Sequence, residues 1–257
     1  MKTHRFTTLL RSLGLGSLLL LTGQAEARLI GGFVDRAESR FVRNVWNFIK
    51  EFQTYQTVGS QSWKYSLYYY MEPYMFTTAN DSWTDSMDFI FCSGHGNTYY
   101  LQTNQSTGAG VDFASAMASG DGLGDSNAEY LVIESCLTVA SLAETSDPWS
   151  EWVTDTLKGL HQIVGFRTVS YSDNGIPNRY ARKLKAGGCV WQSWFDSVNE
   201  ERSFVYGSFY PGMASAIFYD GTRYETLGSS GYPDPRGWGG VNLGRDWGSI
   251  WNWYQYE

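Results

Sequence analysis

The chain has 257 residues, a formal net charge of −7, 17% aromatic residues and three cysteines. An acidic balance lacks the clustered Lys and Arg that nucleic acids and anionic membranes require, so neither is an expected partner. Three cysteines are too few for a disulfide framework, and the odd count leaves at least one free thiol.

The amino terminus carries Lys2, His4, Arg5 and Arg11, then an apolar stretch from Leu13 to Leu21, then Ala25-Glu26-Ala27. A basic region, a short apolar region and a small-x-small site are the three parts of a secretory signal. The apolar part is too short to span a bilayer, and no cysteine near the cleavage point is placed to accept a lipid. Residues 1–27 are therefore expected to be removed near Arg28, giving a secreted (extracellular or periplasmic) product. The removed segment holds three basic residues and one acidic residue, which leaves 16 basic against 25 acidic, a net charge near −9. The remaining length suits a single domain over 28–257.

Arg40–Gln53 has Phe41, Val45, Phe48, Ile49 and Phe52 on one helical face. Tyr65–Tyr70 is aromatic and suits a strand. Asn80–Ser86 reads as a loop. Asp88–Cys92 is an apolar run of buried-strand type, with Thr98–Gln102 a short extension beyond it. Val111–Met117 is expected to be a helix ending in the glycine-rich turn Gly120–Gly124. Leu131–Glu134 is a second buried strand, and Pro148–Leu157 a helix with proline in its first turn. Gln162–Phe166 makes a third buried strand. Asn178–Lys185 and Val190–Val198 read as helices separated by Gly187-Gly188, and Ala214–Tyr219 as a late strand. The Gly- and Trp-rich tail from Gly228 shows no period and is expected to be irregular. Strands alternating with helices predict an α/β fold, a mostly parallel sheet with helices on both faces. The aromatics are spread along the whole chain, which favours their use as large core fillers over a dedicated sugar-binding platform.

Two of these strands end on reactive residues. Asp88–Gly96 (DFIFCSGHG) delivers His95 and Gly96, and Tyr130–Cys136 (YLVIESC) delivers Cys136. Open α/β sheets carry their reactive groups at the carboxyl ends of strands. A thiol attacks as the thiolate, and a nearby imidazole is the usual way to obtain one near neutral pH. His95 and Cys136 are thus a candidate catalytic dyad. Of the other candidates, His161 precedes a strand and is expected to be exposed or at an edge, and Cys92 lies inside an apolar strand as a small hydrophobe. Cys189 lies near a helix start but lacks the strand-end setting. There is no His-Glu-x-x-His helix, no G-x-S-x-G elbow and no phosphate loop. Asp112, Asp121, Asp125 and Glu129 surround the glycine-rich turn, but their spacing is not that of a calcium loop and reads as turn chemistry.

The blocks Ser93-Gly94-His95-Gly96 and Glu134-Ser135-Cys136 resemble those of the caspase-like cysteine peptidases, the group of caspases, metacaspases, legumains and gingipains. The first block looks most like the metacaspase version, and the acid-small-Cys order is similar to metacaspases and legumains. The chain departs from metacaspases after the cysteine, where Leu137-Thr138-Val139 replaces a His-Ser-Gly run. The resemblance implies a caspase-like sheet and a thiol endopeptidase acting on peptide or protein substrates. It implies that the backbone N–H groups of Gly96 and Cys136 form the oxyanion site, and that Glu134 lines the pocket for the residue before the cut. A carboxylate there selects Arg or Lys, or Asn in a short pocket. Such hydrolysis calls for no metal or organic cofactor. The other expectation is a non-catalytic secreted binding module, for glycan or protein, that keeps the sheet and uses its aromatic surface.

Overall fold

In the computed structural model, residues 27–36, 38–114, 122–146, 152, 156–171, 175–204, 212–229 and 247–251 are described. Eleven strands are present among them: β1 Arg28–Val34, β2 Gln56–Val58, β3 Gln61–Tyr70, β4 Phe89–Ser93, β5 Gly96–Asn97, β6 Tyr100–Asn104, β7 Ala109–Asp112, β8 Tyr130–Glu134, β9 Gln162–Phe166, β10 Ala214–Tyr219 and β11 Trp247–Trp251. Three α-helices accompany them, α1 Ser39–Ile49, α2 Ile176–Lys185 and α3 Val190–Phe204. Eight strands form one sheet in the order β11-β10-β9-β8-β4-β1-β3-β2, and β5-β6-β7 form a small second sheet. The five central strands β3, β1, β4, β8 and β9 are parallel, while β2, β10 and β11 join antiparallel. The fold is mixed α/β with a mostly parallel sheet.

Alternation along the strands sorts side chains between two layers. Phe89 and Phe91 of β4 and Tyr130 and Val132 of β8 pack under the helices, whereas Ile90, Cys92, Leu131 and Ile133 face the other way. Among the described residues all three α-helices gather on the first face, with Phe48 stacked on Phe91 at 4.3 Å between ring centroids. The opposite face is covered by short 3-10 turns near Met75, by β6 and β7, and by Trp152, Leu157 and Leu160. The helix expected over Pro148–Leu157 falls largely outside the described residues.

Three local expectations change. The segment expected to be a helix from Val111 starts instead inside β7, whose register pairs Leu101 with Val111 in the small sheet. The tail expected to be irregular contributes β11, which pairs with the edge of β10. β1 was not anticipated as a strand, yet it lies between β3 and β4. Its Gly32 explains why the segment does not read as a strand. Glycine is a poor strand former, but a Cβ at Gly32 would come within 2.7 Å of Val45 and 2.8 Å of Ile49, so glycine lets α1 press onto the sheet.

Candidate functional site

The chain leaves β1 toward β3 on one side and β4 on the other, so the strand order reverses between β1 and β4. Ligand sites of open α/β sheets lie beyond the carboxyl ends of strands at such a reversal. A cavity of about 150 Å³ opens there, lined at and beyond the carboxyl ends of four parallel strands by two residues each. The segment after β1 gives Arg40 and Phe41, the end of β4 gives Gly94 and His95, β8 gives Glu134 and Cys136, and the end of β9 gives Ser170 and Tyr171. The structure thus brings His95, Cys136 and Glu134 to one cleft. Ser93 and Glu134 are register partners at the strand ends, so His95 and Cys136 stand at equivalent positions two residues further on.

Cys136 is partly exposed. Its thiol donates to the Ser170 carbonyl at 3.4 Å, and the Ser170 N–H donates back to Sγ at 3.4 Å. No hydrogen bond joins Sγ to the His95 ring among the described residues; catalytic hydrogen bonds commonly tighten only around substrate. The Cys136 backbone N–H has no partner among the described residues either, as an oxyanion donor requires. Leu137, the next residue, sits at φ 59°, a left-handed conformation that costs a side-chain-bearing residue about 1–3 kcal/mol. Hydrogen bonds from Leu137 N–H to the Thr168 carbonyl and from Val139 N–H to the Phe166 carbonyl hold the turn. On the far side, a Cβ on Gly96 would run into Ser135 Oγ and the Tyr100 carbonyl, so only glycine lets the two strand exits approach so closely.

His95 meets Glu38 Oε1 through Nε2 at 2.6 Å and lies edge-on to Phe41, with ring centroids 5.0 Å apart. Glu134 is 3% exposed, and its Oε1 accepts a 2.9 Å hydrogen bond from Asn44 Nδ2 on α1. Its other oxygen, Oε2, has no hydrogen-bond partner, and the Ser93 side chain lies alongside the carboxyl. Burial pushes the Glu134 carboxyl up to about 8, against smaller downward pulls from Ser93 and Asn44.

The remaining candidates lie elsewhere. His161 is 2% exposed, not at an exposed edge as expected: its Nδ1 lies 2.8 Å from Glu225 Oε2, which also accepts from the Tyr130 hydroxyl. Cys92 is buried and Cys189 donates to the Arg223 carbonyl at 3.3 Å. Burial raises both thiol pKa values, and all three cysteines are free. The four acids around the glycine turn disperse. Asp112 accepts the Ala114 N–H, Glu129 pairs with Arg28, and Asp121 lies outside the described residues. Asp125 groups with Asp81 and Asp85, their ligand oxygens within 4.8 Å of one another. Asp85 is already occupied by the backbone N–H groups of Gly124, Ser126 and Ala128.

Sequence reading missed Glu38, Asn44 and Ser170. Asn44 had left a sign: it is the polar residue in an apolar stripe, buried beside Phe41, Val45 and Phe48 on α1. Against known families, the model described as "Domain of unknown function (DUF6345)" matches residues 30–209. No curated protein matches the chain.

Proposed function

We propose that this chain, which belongs to the DUF6345 family, is an exported, caspase-like cysteine endopeptidase. The observation that carries the reading is the shared cleft: the ends of two adjacent parallel strands, β4 and β8, bring an imidazole, a thiol and a buried carboxyl to line the same cavity of about 150 Å³. Cys136 Sγ attacks the scissile carbonyl carbon while its proton passes to His95. The carbonyl oxygen, now negative, is met by the N–H groups of Gly96 and Cys136. The C–N bond then breaks, His95 returns the proton to the leaving amine, and water hydrolyses the thioester.

Glu134 supports a preference for Arg, Lys or Asn before the cut. A guanidinium or ammonium entering the cleft displaces the carboxyl proton and pairs with the anion, and an amide hydrogen-bonds to the unpartnered oxygen. An Asp side chain would bring a second acid against it.

Alkylation tests the reading without a known substrate. The thiols of Cys92 and Cys189 are pushed up by burial, so limiting iodoacetamide near neutral pH is expected to label Cys136 first. Replacing His95 by Ala slows that labelling. Peptide mapping that finds Cys189 labelled as fast as Cys136 overturns the nucleophile assignment.

A further inference from the structure

We propose that Glu38 is the positioning residue for His95, fixing which ring nitrogen acts as the base; the inference rests on the peptidase reading. Glu38 occupies the N-cap of α1, with extended backbone at φ −125° and ψ 124°. Its carbonyl accepts the N–H groups of Phe41 and Val42, so the main chain is held at that point. Ser, Thr, Asp and Asn are the residues that cap with their side chains. Glu38 makes no side-chain cap. Its carboxylate reaches across the β1/β4 gap instead, one oxygen to His95 Nε2 at 2.6 Å and the other to the Arg40 guanidinium. A cap is forgone at this position and the side chain serves the cleft.

The hydrogen bond also decides the tautomer. Burial pushes the Glu38 carboxyl up, but hydrogen bonds from Arg40 and His95 outweigh it and hold the group below the usual glutamate range. An ionised carboxylate only accepts, so Nε2 carries the proton and Nδ1 keeps the basic lone pair. Phe41 braces the ring edge-on in that orientation. When Cys136 attacks, the thiol proton moves to Nδ1, the ring becomes a cation, and Glu38 stabilises it without taking the Nε2 proton. The same proton then leaves Nδ1 for the amine nitrogen as the peptide C–N bond breaks.

Glu38→Ser separates this role from a structural one, because serine supplies the missing cap. In the full-length protein labelled with ¹⁵N-histidine, long-range ¹H–¹⁵N spectra are expected to show His95 as the Nε2–H tautomer, with His95→Ala assigning the signals. Glu38→Ser is expected to keep or raise Tm, mix the tautomers, and lower kcat by at least about tenfold with KM little changed. An unchanged tautomer overturns the inference, as does unchanged kcat, or a loss of activity that only follows a fall in Tm. If the wild type cleaves no peptide while its tautomer still depends on Glu38, the peptidase reading is overturned and the Glu38–His95 orientation stands.

Discussion

Glu134 sits against Asn44 with one oxygen unpartnered, and such a carboxyl holds its proton until a cation arrives to replace it. Its folded pKa of about 8 lies above the ordinary value of 4.5. The stability this group contributes is therefore fully present below the ordinary value and is lost as pH rises toward the folded one. Each pH unit between the two values is worth about 1.4 kcal/mol, so the free protein forfeits several kcal/mol over that range. Glu134→Gln removes the ionisation. Its urea midpoint is expected to match wild type near pH 5 and to exceed it at pH 8; equal midpoints at both pH values would show the carboxyl is not buried in the protonated state. The same substitution is expected to weaken transition-state binding of basic substrates by about 1.5–3 kcal/mol. Cys136, His95 and Glu134 were legible in the sequence because an apolar run broken by small polar residues marks a strand end. Asn44 and Glu38 were not, since their partners lie 90 and 57 residues away in the chain and only the fold joins them.

At the scale of elements, the buried runs of β4, β8 and β9 and the apolar stripe of α1 read directly from periodicity. β1 did not, because Gly31 and Gly32 interrupt its β-branched and aromatic residues. Val111 reads as the start of a helix by pattern, yet pairing with β6 holds it in a strand. β11 was hidden because an edge strand owes its existence to the partner it pairs with. The loop before β8 shows a further nonlocal dependence. Asp85 is fully buried and accepts N–H groups from Gly124, Ser126 and Ala128, fixing the entry to the strand that carries Glu134 and Cys136. Asp85→Ala leaves those donors unsatisfied and is expected to cost about 2–4 kcal/mol in chemical denaturation. It is also expected to lower turnover through the displaced strand, and a loss under about 0.5 kcal/mol, the size of a surface substitution, would show that the loop does not depend on it.

For the molecule as a whole, the proposed export and the proposed peptide hydrolysis each make a separate prediction. Arg28 opens β1, where its guanidinium pairs with Glu129 and Asp88 and lies 5.6 Å from the Trp63 ring centroid. Cleavage after Ala27 leaves that strand whole, so amino-terminal sequencing of protein recovered outside the producing cell is expected to begin at or near Arg28. Intact Met1 in that fraction would contradict it. No helix among the described residues is long and apolar enough to cross a membrane. The most direct test of the peptidase assignment is turnover of a peptide library by the purified protein, by Cys136→Ala, by His95→Ala and by the double variant. Cleavage after Arg, Lys or Asn by the wild type alone is the expected result. Each single variant should fold and lose activity, and the double should lose little more, because the two groups act as a unit. Full cleavage by Cys136→Ala would contradict the account.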